Sequence, residues 1–252
     1  MKGRHPPCLK TMLTLGIDFA AQPKSTAASL VRWAPGRAEI KSLTVPADDN
    51  AVVALSVDAD KIGVDVPLGW PNSFIKAVGK HQVAEKWPSS TNHELRYRRT
   101  DVFVHSKTKR WPLSVSTDRI GVAAFRAARL IPKLVHTKEV DRTGGAKVVE
   151  VYPKAALLRW GLKPTSKKQT RELFAALLSA TSTWLRITDE MRPVLESNRD
   201  ALDSLIAAII TRAAALGLCE LIPPEDLSSA KQEGWIALPL PDSLSRLAGP
   251  SL

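Results

Sequence analysis

The chain of 252 residues is 44% hydrophobic and carries 36 Lys and Arg against 25 Asp and Glu, a formal net charge of +11. That length supports one large core but not two complete α/β domains, and the basic surface makes polyanions the default partners. No stretch approaches the roughly 18 apolar residues of a membrane span, and Cys8 and Cys219 lack disulfide-framework or zinc spacing, which points to a reducing, cytoplasmic setting.

Residues 1–11 are basic, contain Pro6 and Pro7 and have no apolar signal core, so a disordered extension is expected there. Residues 13–20, LTLGIDFA, read as a buried strand with one acid, Asp18, near its end. A carboxylate buried without a partner is costly, so Asp18 requires one. The turn at Gln22-Pro23-Lys24 leads to a second strand over 26–33, and Pro35-Gly36 leads to a third over 38–43, together an antiparallel meander. Asp48-Asp49-Asn50 caps a helix over 51–58, which returns the chain to the apolar strand 62–66. Strand, helix and strand favour a parallel crossover, which brings Asp65 beside Asp18 on one sheet edge.

After the loop 67–71 a helix is expected over 72–86, and residues 88–145 then read as a basic, irregular insertion. Within it Arg96, Arg98, Arg99, Lys107, Lys109 and Arg110 are interleaved with Tyr97, Phe103 and Trp111. Such a mixture suits a nucleic-acid groove, the cations for phosphates and the rings for stacked bases; a solvated basic loop with core aromatics is the other reading. Thr117-Asp118 can cap a helix through Ala128, and 147–152 is a short strand carrying Glu150, either a metal ligand or the partner of a nearby cation.

A helix is expected over 167–185, with Leu173, Leu177 and Leu178 on one face. The last major helix spans 199–216, and Asp203 lies on its apolar stripe one turn after Asp200. Capping accounts for Asp200 but not for an acid at 203 that faces the core. Residues 233–239 supply an edge strand or a packing segment, and 241–252 are expected to form a loose tail beyond a single domain over 12–240.

Asp18, Asp65, Asp200 and Asp203 thus read as acids converging on a hard divalent cation, Mg²⁺ or Mn²⁺, which prefers oxygen ligands. Acids at one point repel unless a cation neutralises them, and a basic rim would bring a polyanion to them.

The segments Gly16-Ile17-Asp18, IGVDVPLGWP over 62–71, Arg98-Arg99-Thr100-Asp101, Glu150-Val151-Tyr152-Pro153, RDALDSLIAA over 199–208 and Glu233-Gly234-Trp235-Ile236 follow one another along nearly all of 13–239. In kind and order they resemble the motifs of the prokaryotic domain-of-unknown-function 429 family of predicted nucleases. The resemblance implies an α/β, ribonuclease H-like fold: a mixed central sheet, antiparallel meander plus parallel strands, with helices on both faces. It also implies that Asp18, Asp65, Asp200 and Asp203 are catalytic and bind the metal, much as in Holliday junction resolvases of the same superfamily, with Glu150 and Asp101 in neighbouring motifs. The expected activity is metal-dependent hydrolysis of DNA or RNA, with His105 the positional candidate for a general base. A non-catalytic nucleic-acid-binding protein on the same fold is the alternative. A sugar-kinase-like phosphotransferase fits less well, because the chain shows neither an internal duplication nor a GxxxxGK[ST] loop.

Overall fold

The apolar run around Leu15 and Ile17 forms the central strand β1 (Met12–Asp18) of a six-stranded sheet. The computed structural model describes residues 11–135, 140–163 and 165–249, so the expected extension falls outside the described residues up to residue 10. β1 pairs antiparallel with β2 (Ala27–Ala34), which pairs antiparallel with β3 (Arg37–Thr44), the turn between them carrying Gly36 at φ 70°. At a positive φ only glycine is free of Cβ strain. Asp48 caps α1 (Asp49–Asp58), its carboxylate accepting the Ala51 amide at 2.8 Å. The chain then enters β4 (Lys61–Val64), parallel to β1, and β5 (Val148–Glu150) adds in parallel beyond it. With β6 (Leu185–Arg186) parallel to β3, the order is β5-β4-β1-β2-β3-β6. This is the mixed sheet expected of a ribonuclease H-like fold.

The stretch 88–145 departs from the irregular insertion expected of it. Its described residues, after α2 (Asn72–Gln82), fold into α3 (Asn92–Arg96), α4 (Arg99–Thr108) and α5 (Ile120–Val135), of which α5 answers to the helix expected through Ala128. Periodicity is faint because α3 and α4 are short and set by local caps: Thr91 and Glu94 form a reciprocal capping box. The helix expected over 167–185 also differs. α6 (Pro153–Arg159) precedes it, and α7 (Thr170–Thr181) stops early because Trp184 turns inward onto Trp33, with ring centroids 5.4 Å apart, before β6 begins.

The sheet is covered on both faces. α6, α7, α8 (Arg192–Ser197) and α9 (Arg199–Ala215) contribute the apolar residues on one side; α1 and α5 supply Val52, Ala123, Ala127, Leu130 and Leu134 on the other. α9 lies directly on the strands at two glycines. A Cβ on Gly16 would stand 2.0 Å from the Ala208 nitrogen, and one on Gly63 would stand 1.9 Å from Thr211 Oγ1. Only a residue without a side chain allows that approach. Thr14 Oγ1 donates to the Ala208 carbonyl at 3.0 Å, and the Ser29 and Ser204 hydroxyls pair at 2.6 Å across the same interface.

Asn198 caps α9, its side-chain oxygen accepting the Ala201 amide at 3.0 Å. Asn198→Ala is expected to lower stability by about 1 kcal/mol, read as a shift in the urea midpoint at unchanged slope.

After α10 (Leu227–Glu233), residues 233–239 form a packing segment with isolated bridges, Glu150 to Ile236 and Cys219 to Pro239, and no edge strand. The loose tail is also corrected over 241–249. Leu244, Leu247 and Ala248 are buried, Trp160 Nε1 donates to Ser243 Oγ at 2.9 Å, and the Gly36 amide donates to the Ala248 carbonyl at 2.9 Å. Residues 250–252 lie outside the described residues.

Candidate metal and nucleic-acid cleft

Parallel pairing places Ile17 opposite Val64, so Asp18 and Asp65, the residues that follow them, lie together at neighbouring strand ends. The Asp65 amide donates to the Ile17 carbonyl at 2.9 Å and extends this register into the loop. α9 runs back over the sheet from the same edge, so the helix start that carries Asp200 and Asp203 faces these strand ends. All four aspartates line one cleft of about 680 Å³, whose walls also include Arg110, Trp111, Tyr152, Lys154 and Lys167.

The electrostatics show how the acids interact. Burial raises the pKa of Asp18 well above the carboxylate range, and the charges of Asp65, Asp203 and Asp200 push it further. Burial likewise raises Asp65, followed by repulsion from Asp203 and Glu150, with Lys154 opposing. Neither carboxylate gains a lowering hydrogen bond among the described residues. Asp203 and Asp200 are held differently. Arg199 Nε donates to Asp203 at 2.9 Å, and Lys167 Nζ donates to Asp200 at 2.5 Å. Burial still raises the Asp203 pKa, against the pull of Arg199.

An all-oxygen donor set whose charges repel is chemically suited to a hard divalent cation. Among the described residues, however, no group of at least three His, Cys, Asp or Glu side chains stands ready to hold a metal. Asp200 and Asp203 are instead engaged with cations of the chain itself.

Glu150, read from sequence as a ligand or an ion-pair partner, is the partner. It ends β5, and both its oxygens are taken: Arg98 donates to them at 2.7 and 2.8 Å, and the Leu68 amide donates at 3.0 Å. Burial raises its pKa and Arg98 opposes the rise. Arg98, expected on nucleic acid, is 1% exposed, and it also binds both oxygens of Asp101, at 3.0 and 3.2 Å. Burial would ease its proton off, but Asp101 and Glu150 reverse this and raise its pKa. This network ties α4 to the sheet end beside Asp65.

The remaining cations of the basic segment separate. Arg99 Nε pairs with Asp226 at 2.7 Å, Arg96 lies over the Tyr97 ring, Lys107 lies over Phe103, and Lys109 Nζ donates to the Ser106 carbonyl at 3.2 Å. Of these six cations, Arg98 and Arg110 line the cleft, and Arg98 is already engaged. The aromatic residues are not open stacking platforms either. Trp111 stacks with Tyr97 at 4.3 Å and with His105 at 3.9 Å, and Phe103 packs on Trp235. His105 therefore stands in an aromatic stack and is absent from the cleft lining.

Sequence reasoning overlooked Lys154 and did not pair Lys167 or Arg199 with an acid. Lys154 follows Glu150-Val151-Tyr152-Pro153 directly, and Arg199 precedes Asp203 by one helical turn, so spacing was the available signal for both. Lys167 reaches Asp200 across 33 positions and offers no such signal.

No helix among the described residues is long and apolar enough to cross a membrane. A family model described as "Protein of unknown function (DUF429)" matches residues 16–227. No curated protein and no solved structure matches the chain.

Proposed function

The chain belongs to the DUF429 family, and from that premise we propose that it is a divalent-metal-dependent nuclease acting on DNA or RNA. The observation that most supports this reading is the register of two parallel strands. Asp18 and Asp65 emerge side by side, opposite the α9 acids and inside one cleft with exposed Arg110, Lys154 and Lys167 at its walls. Asp18, Asp65, Asp200 and Asp203 would hold Mg²⁺ or Mn²⁺. Bound there, such an ion polarises a phosphoryl oxygen and lowers the pKa of water.

The chain's own residues have separate tasks in this reading. Asp18 and Asp65, on fixed strand ends, define the hydrolytic edge of the cleft. Arg110 and Lys154 attract and orient the phosphates on either side of the scissile bond, the guanidinium through paired hydrogen bonds and the ammonium as a point charge. Arg98, Asp101 and Glu150 position the loop after Asp65 without touching substrate.

The reading is tested by incubating labelled single strands, duplexes, RNA–DNA hybrids and branched junctions in Mn²⁺ and in Mg²⁺, with Asp18→Asn in parallel. Metal-dependent cleavage that falls by more than about 100-fold in the variant, as expected for a residue holding a catalytic metal, supports the nuclease. Tight, salt-sensitive binding without cleavage would replace it with a nucleic-acid-binding protein.

A further inference from the structure

Asp200 and Asp203 are each bonded to a cation of the chain, but the two cations are built differently. Arg199 belongs to the scaffold. Its side chain is 4% exposed, Nε holds Asp203, Nη1 donates to the Thr165 carbonyl at 3.0 Å, and Nη2 is buried with no partner among the described residues. Lys167 is different, since its side chain is 75% exposed while its backbone is fixed. The Thr170 hydroxyl donates to the Lys167 carbonyl at 2.7 Å, and Arg199 anchors Thr165 two residues earlier. The ammonium can therefore leave Asp200 by side-chain rotation alone, with the turn and α9 unmoved. An ion pair this exposed is worth only about 0–1 kcal/mol, far less than a divalent cation gains among several carboxylates.

We propose that Lys167 is the resident counter-ion of Asp200, displaced when a divalent cation enters the cleft and turned from there onto a phosphate of the bound strand. The inference rests on the nuclease reading through the metal site which that reading assigns. It explains why acids suited to a hard cation do not stand as a ready ligand set: one of them is occupied by an internal cation that a stronger one replaces. It also makes metal loading and substrate capture successive uses of one side chain. The phosphate contact becomes available only once Asp200 is neutralised by other means.

Calorimetric titration of Mn²⁺ into the metal-free protein, Lys167→Met and the neighbouring control Lys168→Met tests the first half. Removing the competing ammonium is expected to tighten Mn²⁺ binding roughly three- to tenfold, with Lys168→Met unchanged. The second half is read from the affinity of a short fluorescent single strand. In Ca²⁺, Lys167→Met should bind it about threefold more weakly and with a shallower salt dependence, whereas in EDTA it should bind like the parent. Mn²⁺ affinity that is unchanged or weaker in Lys167→Met, or equally tightened in Lys168→Met, overturns the counter-ion role. Tighter Mn²⁺ binding with unaltered strand affinity in Ca²⁺ overturns the transfer to phosphate. If the parent and Lys167→Met both fail to bind Mn²⁺, the metal reading fails and this inference fails with it. Mn²⁺ binding without cleavage of any substrate removes only the nuclease reading.

Discussion

Asp65→Asn is expected to weaken Mn²⁺ binding by at least about 100-fold, since even residues that merely support a metal ligand carry about 10–100-fold, while making the metal-free protein more stable. Asn keeps the shape of Asp and removes a charge that burial, Asp203 and Glu150 all disfavour. Relief of such functional strain is commonly worth about 0.5–2 kcal/mol. In a chain of this size that corresponds to a melting temperature higher by roughly 1–8 °C. The sign of the pH dependence follows from the direction of the shift. A carboxyl whose pKa is raised by folding contributes stability below its unfolded pKa, and that contribution is lost as pH rises through the folded value. The melting temperatures of parent and variant should therefore lie close together in acid and separate toward neutral pH, with the variant higher. Saturating Mn²⁺ should reverse the order, because it stabilises only the protein that binds it. Thermal scans at several pH values, with and without the ion, check both halves; a variant less stable than its parent in EDTA would contradict the strained-acid account.

Arg98→Met is expected to destabilise the fold by about 3–5 kcal/mol, the range for removing one partner of a buried ion pair. Arg98 is the cation between Asp101 and Glu150, and it also donates to the Glu233 carbonyl at 3.1 Å. Its loss leaves two carboxylates inside the protein without it. Arg98→Lys should recover only part of the stability, because one ammonium cannot replace a planar fork that meets both acids. Urea unfolding measures the effect. Had Arg98 been a phosphate contact, as its place in a basic stretch suggests, the same substitution would flatten the salt dependence of nucleic-acid binding and leave the unfolding midpoint where it was.

These two residues mark where the sequence was legible. Asp65 could be placed because β1 and β4 are short apolar runs, Asp48 marks the start of α1 between them, and a right-handed crossover leaves few ways to pair their strands. The meander was readable for a similar reason, since Pro35-Gly36 marks its turn. Arg98 could not be placed. Its partner Glu150 lies 52 positions away, so a cation between Tyr97 and Arg99 looks like any other member of a basic run. The same long reach hid the pairing of Lys167 with Asp200, 33 positions apart. The closing segment misled for the opposite reason. Residues 241–249 are small and polar on paper, yet Leu244 and Leu247 are enough to anchor them in the core.

The glycines under α9 have a mechanical consequence. With its backbone seated at Gly16 and again at Gly63, the helix cannot slide along the sheet by even one residue, a step of about 1.5 Å, without driving its side chains into the strands. Asp200 and Asp203 are thus held at a fixed stand-off from Asp18 and Asp65, like jaws set on a common frame. Adjustment to a guest between them must come from side-chain rotation, that of exposed Lys167 foremost, leaving the frame itself to act as a gauge of what fits.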